Sequence, residues 1–148
     1  MTLEQQNISR PFFEAVKTGD VGTVLEIARN VDIACLITDA TTFYENALFL
    51  ASQIKDEDTA IKMVEVLTQS GVRIKTSIDS LKQTPLYYAV REGHARLIEL
   101  LIEGGLNVNH LDIYGQNPIY YAISSGNVSI TRLLVNKGAD PDVVDLNG

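Results

Sequence analysis

The carboxyl-terminal half of the chain repeats itself. Residues 84–89, with the sequence TPLYYA, correspond to residues 117–122, with the sequence NPIYYA. The same offset relates three aspartates, Asp79, Asp112 and Asp145. This period, about 33 residues, lies within the range of about 20 to 50 that is typical of solenoids, in which a unit buries its apolar face only against neighbouring units. The period therefore predicts a stack of similar units.

Each unit carries the signals of two short helices. The Thr-Pro and Asn-Pro dipeptides at 84–85 and 117–118 place a capping side chain before a proline, and proline suits the first helical position because the N–H it lacks would be unpaired there. The pattern predicts a first helix over 85–92 and a second helix, with a wide apolar stripe, over 95–103. Gly105 ends the second helix, and turn residues follow.

These patterns resemble the ankyrin repeat family. The resemblance rests on TPLYYA at 84–89, on EGH at 92–94, on GLNVN at 105–109 and on DIYG at 112–115. It implies an all-α fold, an ankyrin-repeat solenoid of stacked helix-turn-helix units with hairpin loops.

The amino-terminal half follows the same pattern less closely. Residues 15–20 match residues 89–94, Pro11 falls at a predicted helix start, and residues 46–51 open the next unit. We predict a single ankyrin-repeat domain over residues 1–148, with repeats at about 8–40, 41–78, 79–111 and 112–144.

The last four residues, 145–148, repeat the opening of the preceding unit at 112–115. We interpret them as the start of a further repeat and expect the chain to be a fragment of a longer protein. Terminal repeats normally carry a polar outer face, whereas the apolar residues within 128–136 are typical of an internal unit. That helix is therefore expected to be the least protected.

Composition and motifs favour a module without catalysis. Nineteen Asp and Glu against 12 Lys and Arg give a formal net charge of −7, which disfavours nucleic acid. The longest apolar run, at 47–51, is far shorter than the roughly 20 residues that span a membrane. Cys35, His94 and His110 lack the spacing of a metal site. We expect no enzyme activity, no cofactor, no metal, no nucleic-acid partner and no membrane partner.

The resemblance implies protein–protein recognition by a monomeric intracellular chain, in the cytoplasm or the nucleus. Alternatives stay open: a substrate-targeting module of a larger enzyme, a small free-standing inhibitor, or a methyl-lysine reader whose cage is formed by Tyr88, Tyr114 and Tyr121. Tyr87 and Tyr120 stand where the family usually has histidine. We expect their rings to pack between repeats, with the hydroxyl reaching a backbone group or water.

The partner is expected on the concave face, where ankyrin repeats present their loop tips and first helices. Large apolar side chains at loop tips are typical of interaction sites, and aromatic and arginine side chains often dominate binding energy. We expect Phe43, Arg91 and Tyr114 to be the main anchors. The resemblance places the following residues on this face: Phe43, Tyr44, Gln53, Leu81, Gln83, Arg91, Glu92, Ile113, Tyr114, Gln116, Ser124 and Ser125.

Overall fold

The computed structural model describes residues 3–36 and 46–142, and within them it contains eight α-helices. The helices are α1 (Leu3–Thr18), α2 (Val21–Asn30), α3 (Ala47–Ser52), α4 (Glu57–Gln69), α5 (Pro85–Glu92), α6 (Ala95–Glu103), α7 (Pro118–Ser124) and α8 (Val128–Asn136). A 3₁₀ turn, Ile33–Cys35, follows α2. None of the helices in this part of the chain is long and apolar enough to cross a membrane.

The helices pack as four pairs that stack on one another. Helix α1 packs on α2, α3 on α4, α5 on α6 and α7 on α8. The first helices of the pairs, which we call the inner row, contact each other in the order α1, α3, α5, α7. The second helices form the outer row, in which α2 contacts α4 and α4 contacts α6. The fold is therefore all-α and stacked, as predicted.

One hydrophobic core runs through the stack from α1 to α8. Leu86 and Leu101 of the third pair are fully buried, and their equivalents one unit later, Ile119 and Leu134, are buried in the fourth pair. Residues that lie one sequence repeat apart are thus buried at equivalent positions of the two pairs. Packing of apolar stripes, rather than helix propensity alone, stabilises helices this short.

Helices α5 and α6 begin and end at the predicted residues, but α1 does not. It begins at Leu3, so Pro11 lies inside the helix instead of at its first position. The residues before the proline include Glu4, Gln5 and Gln6, which are good helix formers. The helix therefore extends upstream of Pro11, where proline supplies no N–H for a helical hydrogen bond.

The predicted cap is present at α7 and absent at α5. The side-chain oxygen of Asn117 accepts a hydrogen bond from the N–H of Tyr120 at 3.3 Å, and its amide donates to the carbonyl of Asp140 at 3.0 Å. Thr84 makes no such bond to α5, and its hydroxyl oxygen is buried without a hydrogen-bond partner. The prediction of a Thr84 cap is therefore wrong.

We expect Thr84→Val to leave the free energy of unfolding unchanged or to raise it by up to about 1 kcal/mol, because an unsatisfied buried hydroxyl is costly. The matched variant Asn117→Ala should lower it by about 1–2 kcal/mol, since a working cap is lost. Urea denaturation of both variants measures the difference. A clear loss of stability in Thr84→Val would mean that the hydroxyl has a partner.

Candidate functional site

Two equivalent turns, at 79–83 and 112–116, lie just before the first helices of the third and fourth pairs, α5 and α7. In the first turn the N–H of Asp79 donates to the carbonyl of Gln83 at 2.9 Å, and the carboxylate of Asp79 accepts from the N–H of Gln83 at 2.8 Å. Asp112 and Gln116 make the same pair of bonds, each at 3.0 Å. The aspartates therefore fix the shape of both turns.

A polar cluster around the buried side chains of Gln83 and Asp112 joins the third and fourth helix pairs. The amide of Gln83 donates to Asp112 at 2.9 Å and to the hydroxyl of Tyr121 at 3.1 Å, and that hydroxyl donates to Asp112 at 2.5 Å. The amide oxygen of Gln83 accepts from Arg91 at 2.8 Å. We call Gln83, Arg91, Asp112 and Tyr121 the Gln83 cluster. Its side chains hold two successive units together.

Arg91 also lies against two aromatic rings. Its guanidinium carbon is 5.4 Å from the ring centre of Tyr88 and 4.7 Å from that of Tyr121, which is within the range of cation–π attraction. The hydroxyl of Tyr88 donates to Asp79 at 2.6 Å. The two tyrosines therefore already hold a cation that belongs to the chain itself.

The Gln83 cluster shifts the acidity of its members. Burial by itself would raise the pKa of Asp112, but hydrogen bonds from Tyr121, Gln83 and two backbone N–H groups together lower this pKa below its ordinary value. Burial, and then the hydrogen bond to Asp112, raises the pKa of the Tyr121 hydroxyl. Asp112 therefore stays ionised and the Tyr121 hydroxyl stays protonated, as the hydrogen bond from Tyr121 to Asp112 requires.

The lowered pKa of Asp112 makes the stability of the chain depend on pH. Its contribution is fully present above the unfolded pKa of about 3.9, and is lost as the pH falls through the lower folded value. We expect Asp112→Asn to lose less stability between about pH 5 and about pH 2 than the unmodified chain does. Denaturation at several pH values measures this, and identical pH profiles would contradict the assignment.

Tyr87 makes a second link between the same two units. Its side chain is fully buried, and its hydroxyl shares one proton between the carbonyls of His110, at 2.6 Å, and Gln116, at 2.8 Å. Its ring meets that of Tyr121 edge-on, with centres 5.6 Å apart. Packing between repeats is confirmed for Tyr87. The equivalent Tyr120 is only half-buried, and its hydroxyl makes no hydrogen bond to the described residues.

We expect Tyr87→Phe to lower the free energy of unfolding by about 1–3 kcal/mol, because the buried carbonyl of Gln116 and the part-buried carbonyl of His110 lose their donor. The matched control is Tyr120→Phe, which removes the same hydroxyl from an equivalent position and should change stability by less than about 0.5 kcal/mol. If the two variants lose equal stability in thermal or urea denaturation, the hydrogen bonds made by the Tyr87 hydroxyl do not stabilise the fold.

Two of the predicted site residues do not lie at exposed loop tips. Gln83 is 1% exposed and Gln116 is 9% exposed. Each glutamine follows the tip of its turn and directly precedes the cap residue of an inner-row helix. Gln83 is buried because Asp112, Tyr121 and Arg91 satisfy its whole amide. The prediction that these side chains are exposed is wrong.

The structure does place two large side chains of the fourth unit at an exposed tip. Tyr114 is 47% exposed, and Ile113 beside it is also exposed. The N–H of Ile113 donates to the carbonyl of Leu81 at 3.0 Å, so the tips of the two turns touch and Leu81 is half-buried. Phe43 and Tyr44 lie outside the described residues.

The remaining predicted residues lie at the ends of inner-row helices. Gln53 is exposed at the end of α3, and Ser124 and Ser125 are exposed at the end of α7. Glu92 is half-buried and pairs with Lys55 of the preceding unit, whose ammonium lies 2.8 Å from its carboxylate. None of these four side chains belongs to the Gln83 cluster.

Two exposed side chains at the turns were missed from the sequence. Ile78 and Leu111 are both about half exposed, and each directly precedes the aspartate of its turn. They occupy equivalent positions in consecutive units. The recurrence of a branched aliphatic residue directly before the turn aspartate is the sequence signal that could have identified them. They extend the apolar surface of the loops beyond the predicted residues.

Both histidines bond to main-chain carbonyls, His94 to that of the preceding unit and His110 to that of a turn in its own unit. The Nε2 atom of His94 lies 2.7 Å from the carbonyl of Ile54, and that of His110 lies 2.6 Å from the carbonyl of Lys82. A carbonyl only accepts hydrogen bonds, so Nε2 carries the proton in each ring. In residues 3–36 and 46–142, no group of three or more His, Cys, Asp or Glu side chains could hold a metal ion.

A family model described as ankyrin repeats (3 copies) matches residues 12–112 and, in a second match, residues 48–145. The chain belongs to the ankyrin repeat family. The predicted family and fold class are confirmed. Ankyrin repeats are generally protein–protein interaction modules, and the family is typically non-catalytic. A comparison with curated proteins gives no match.

Proposed function

We propose that this ankyrin-repeat chain is a non-catalytic module that binds a protein or peptide across its loop tips and inner row. The observation that carries the proposal is the exposed pair Ile113 and Tyr114 at a tip whose shape is fixed by hydrogen bonds to Asp112. Together with Leu81 and Arg91 they form what we call the tip face.

The tip face has the composition of a binding surface. Exposed apolar side chains that lie together favour an interaction site, and tyrosine and arginine are frequent among the residues that dominate binding energy. The turn beneath Tyr114 is already ordered, because the N–H of Tyr114 donates to the carboxylate of Asp112 at 2.9 Å. A partner therefore meets a backbone whose ordering costs little on binding.

Arg91 supplies the charge of this face. Its side chain is exposed, yet one side of the guanidinium is held by Gln83 and by the rings of Tyr88 and Tyr121. Only one of its five N–H donors is used in the bond to Gln83. The donors on the exposed side of the guanidinium suit a carboxylate or a main-chain carbonyl of the partner.

The proposed surface continues along the inner row and toward the second unit. Gln53, Glu92, Ser124 and Ser125 form its polar border, and Phe43 and Tyr44 are proposed as its extension on the amino-terminal side. A methyl-lysine reader has less support, because Arg91 already lies over two of the three tyrosines that such a cage would use.

Affinity capture with mass spectrometry identifies the ligand, and calorimetry then measures its affinity for variants. We expect Tyr114→Ala to weaken binding by at least about 1 kcal/mol and to leave the circular dichroism spectrum unchanged. Leu25→Ala is the matched control, since Leu25 is a similarly exposed apolar residue on the outer row. It should leave the affinity unchanged.

The opposite pattern would overturn the proposal. If Tyr114→Ala and Arg91→Ala bind normally while substitutions of Glu99 or Arg132 on the outer row abolish binding, the partner lies on the outer helices.

A further inference from the structure

Lys82, at the tip of the first turn, has its backbone in the left-handed region. Its φ is 56°, and among residues 3–36 and 46–142 no other residue except glycine has a positive φ. The equivalent residue one unit later is Gly115, with a φ of 73°. A side chain at such a position is strained, because its Cβ atom crowds the following carbonyl oxygen. Lysine therefore stands where glycine would be more stable.

Hydrogen bonds on both sides keep Lys82 in this conformation. Its N–H donates to the carbonyl of Asp79 at 3.0 Å, and its carbonyl accepts from Nε2 of His110 at 2.6 Å. The side chain takes part in neither bond, and the residue is exposed. Backbone strain that the surrounding structure maintains is typical of functional positions. The ammonium group of Lys82 is therefore a candidate for contact with a partner.

Arg91 is tied to the same turn. Lys82 directly precedes Gln83, and the amide oxygen of Gln83 accepts from the guanidinium of Arg91 at 2.8 Å. Neither cation forms an ion pair with an acidic side chain of the described residues. Glu92, which is next to Arg91 in the sequence, is already paired with Lys55. Two positive charges beside this turn thus have no ionic partner in the described part of the chain.

The aspartates of the two turns lie beneath these cations. Asp79 and Asp112 are 6% and 5% exposed. The carboxylate of Asp79 accepts from the hydroxyl of Tyr88 at 2.6 Å, and that of Asp112 accepts from the hydroxyl of Tyr121 at 2.5 Å. Both carboxylates also accept from backbone N–H groups of their own turns. The negative charges are therefore buried and hydrogen-bonded, whereas Lys82 and Arg91 are exposed.

The segment around the turn is basic in an otherwise acidic chain. Residues 73–91 contain four of the 12 Lys and Arg residues but only one of the 19 Asp and Glu residues, the buried Asp79. The other two cations of the segment, Arg73 and Lys75, are exposed. Charges act on a partner mainly within the Debye length, about 8 to 10 Å in physiological salt. The local excess of positive charge therefore favours an anionic group at this face.

We propose that the segment bound at the tip face is an acidic peptide, in which Asp or Glu carboxylates bind Lys82 and Arg91 while a neighbouring apolar side chain packs on Ile113 and Tyr114. This inference rests on the proposed function of the tip face. A peptide supplies both carboxylates and apolar side chains, whereas a nucleic acid supplies phosphates and base rings, which call for a longer positive groove with stacking aromatic residues. Ionised donors and acceptors make the stronger hydrogen bonds.

Selection from a phage-displayed library of random short peptides tests the class of partner. We expect peptides selected by the unmodified chain to contain Asp and Glu at least about threefold more often than the unselected library does. Lys82→Glu reverses one charge without changing a side chain of the Gln83 cluster. The peptides it selects should contain fewer Asp and Glu and more Lys and Arg, because like charges now exclude the acidic sequences.

Titration of one selected acidic peptide then isolates the charge of Lys82. Asparagine tolerates the left-handed conformation, so Lys82→Asn removes the charge and keeps the turn. We expect about fivefold weaker binding or more, since a charged contact is lost. Lys62→Asn removes the same charge from α4 of the outer row and should leave the affinity unchanged. Equal affinities of the two variants overturn the proposal.

Lys82→Gly tests the strain. Glycine adopts the left-handed conformation without a steric cost, so we expect a higher urea midpoint together with the same loss of affinity for the acidic peptide. A midpoint below that of the unmodified chain would contradict the strain from which the role of Lys82 is inferred, and the proposal would be wrong.

Two failures can be told apart. If Tyr114→Ala abolishes binding of the selected peptides but they show no excess of Asp and Glu, the tip face binds another class of peptide, and only this inference is wrong. If no peptide is selected, or if Tyr114→Ala binds the selected peptides normally, the proposed function fails as well. A single-stranded DNA oligonucleotide that binds the unmodified chain but not Lys82→Asn would also overturn the inference, because the anion would be a phosphate.

Discussion

The buried apolar side chains of residues 3–36 and 46–142 form one continuous core that runs through all four helix pairs, so contact between successive pairs is the constraint on which the structure depends. The pairs are short, and their apolar stripes are buried only where another pair lies against them. Stability is then close to a sum of unit and interface contributions. A change at one interface acts mainly on its two units, which allows the loop tips to vary without loss of the stack.

Polar side chains make the interface between the third and fourth pairs specific. Gln83, Asp112 and Tyr121 satisfy one another within the apolar stack, and Tyr87 satisfies two carbonyls of the next loop. A buried polar group that loses its partner is costly, so these bonds favour a single register. The same bonds place Arg91 over two tyrosine rings, which connects the stability of the stack to the chemistry of the proposed binding surface.

The period, the family and the helix bounds of the third unit could be predicted because they depend on local signals: Pro85, Gly93 and the spacing of apolar residues. The Gln83 cluster could not be predicted, because its hydrogen bonds join residues that are 29 and 38 positions apart in the sequence. The sequence shows only that Gln83 stands in a turn. The family register places Gln83 and Gln116 at loop tips, where a polar side chain is usually exposed. Thr84 has a residue type that favours a cap but makes no cap hydrogen bond, so residue type alone does not establish the cap.

The direction of the bonds made by Tyr87 and Gln83 has a consequence for rearranging the chain. Each of these side chains donates to an acceptor of the fourth unit, Tyr87 to the carbonyl of Gln116 and Gln83 to Asp112, so they need a particular successor and not just any neighbour. Placing the third unit last would remove both of these acceptors and leave the phenol of Tyr87 with only the carbonyl of His110, in its own unit. Duplicating it in tandem would keep both, because its own Asp79 begins the same turn as Asp112. The units are therefore an ordered set, which can grow by insertion more easily than it can be shuffled.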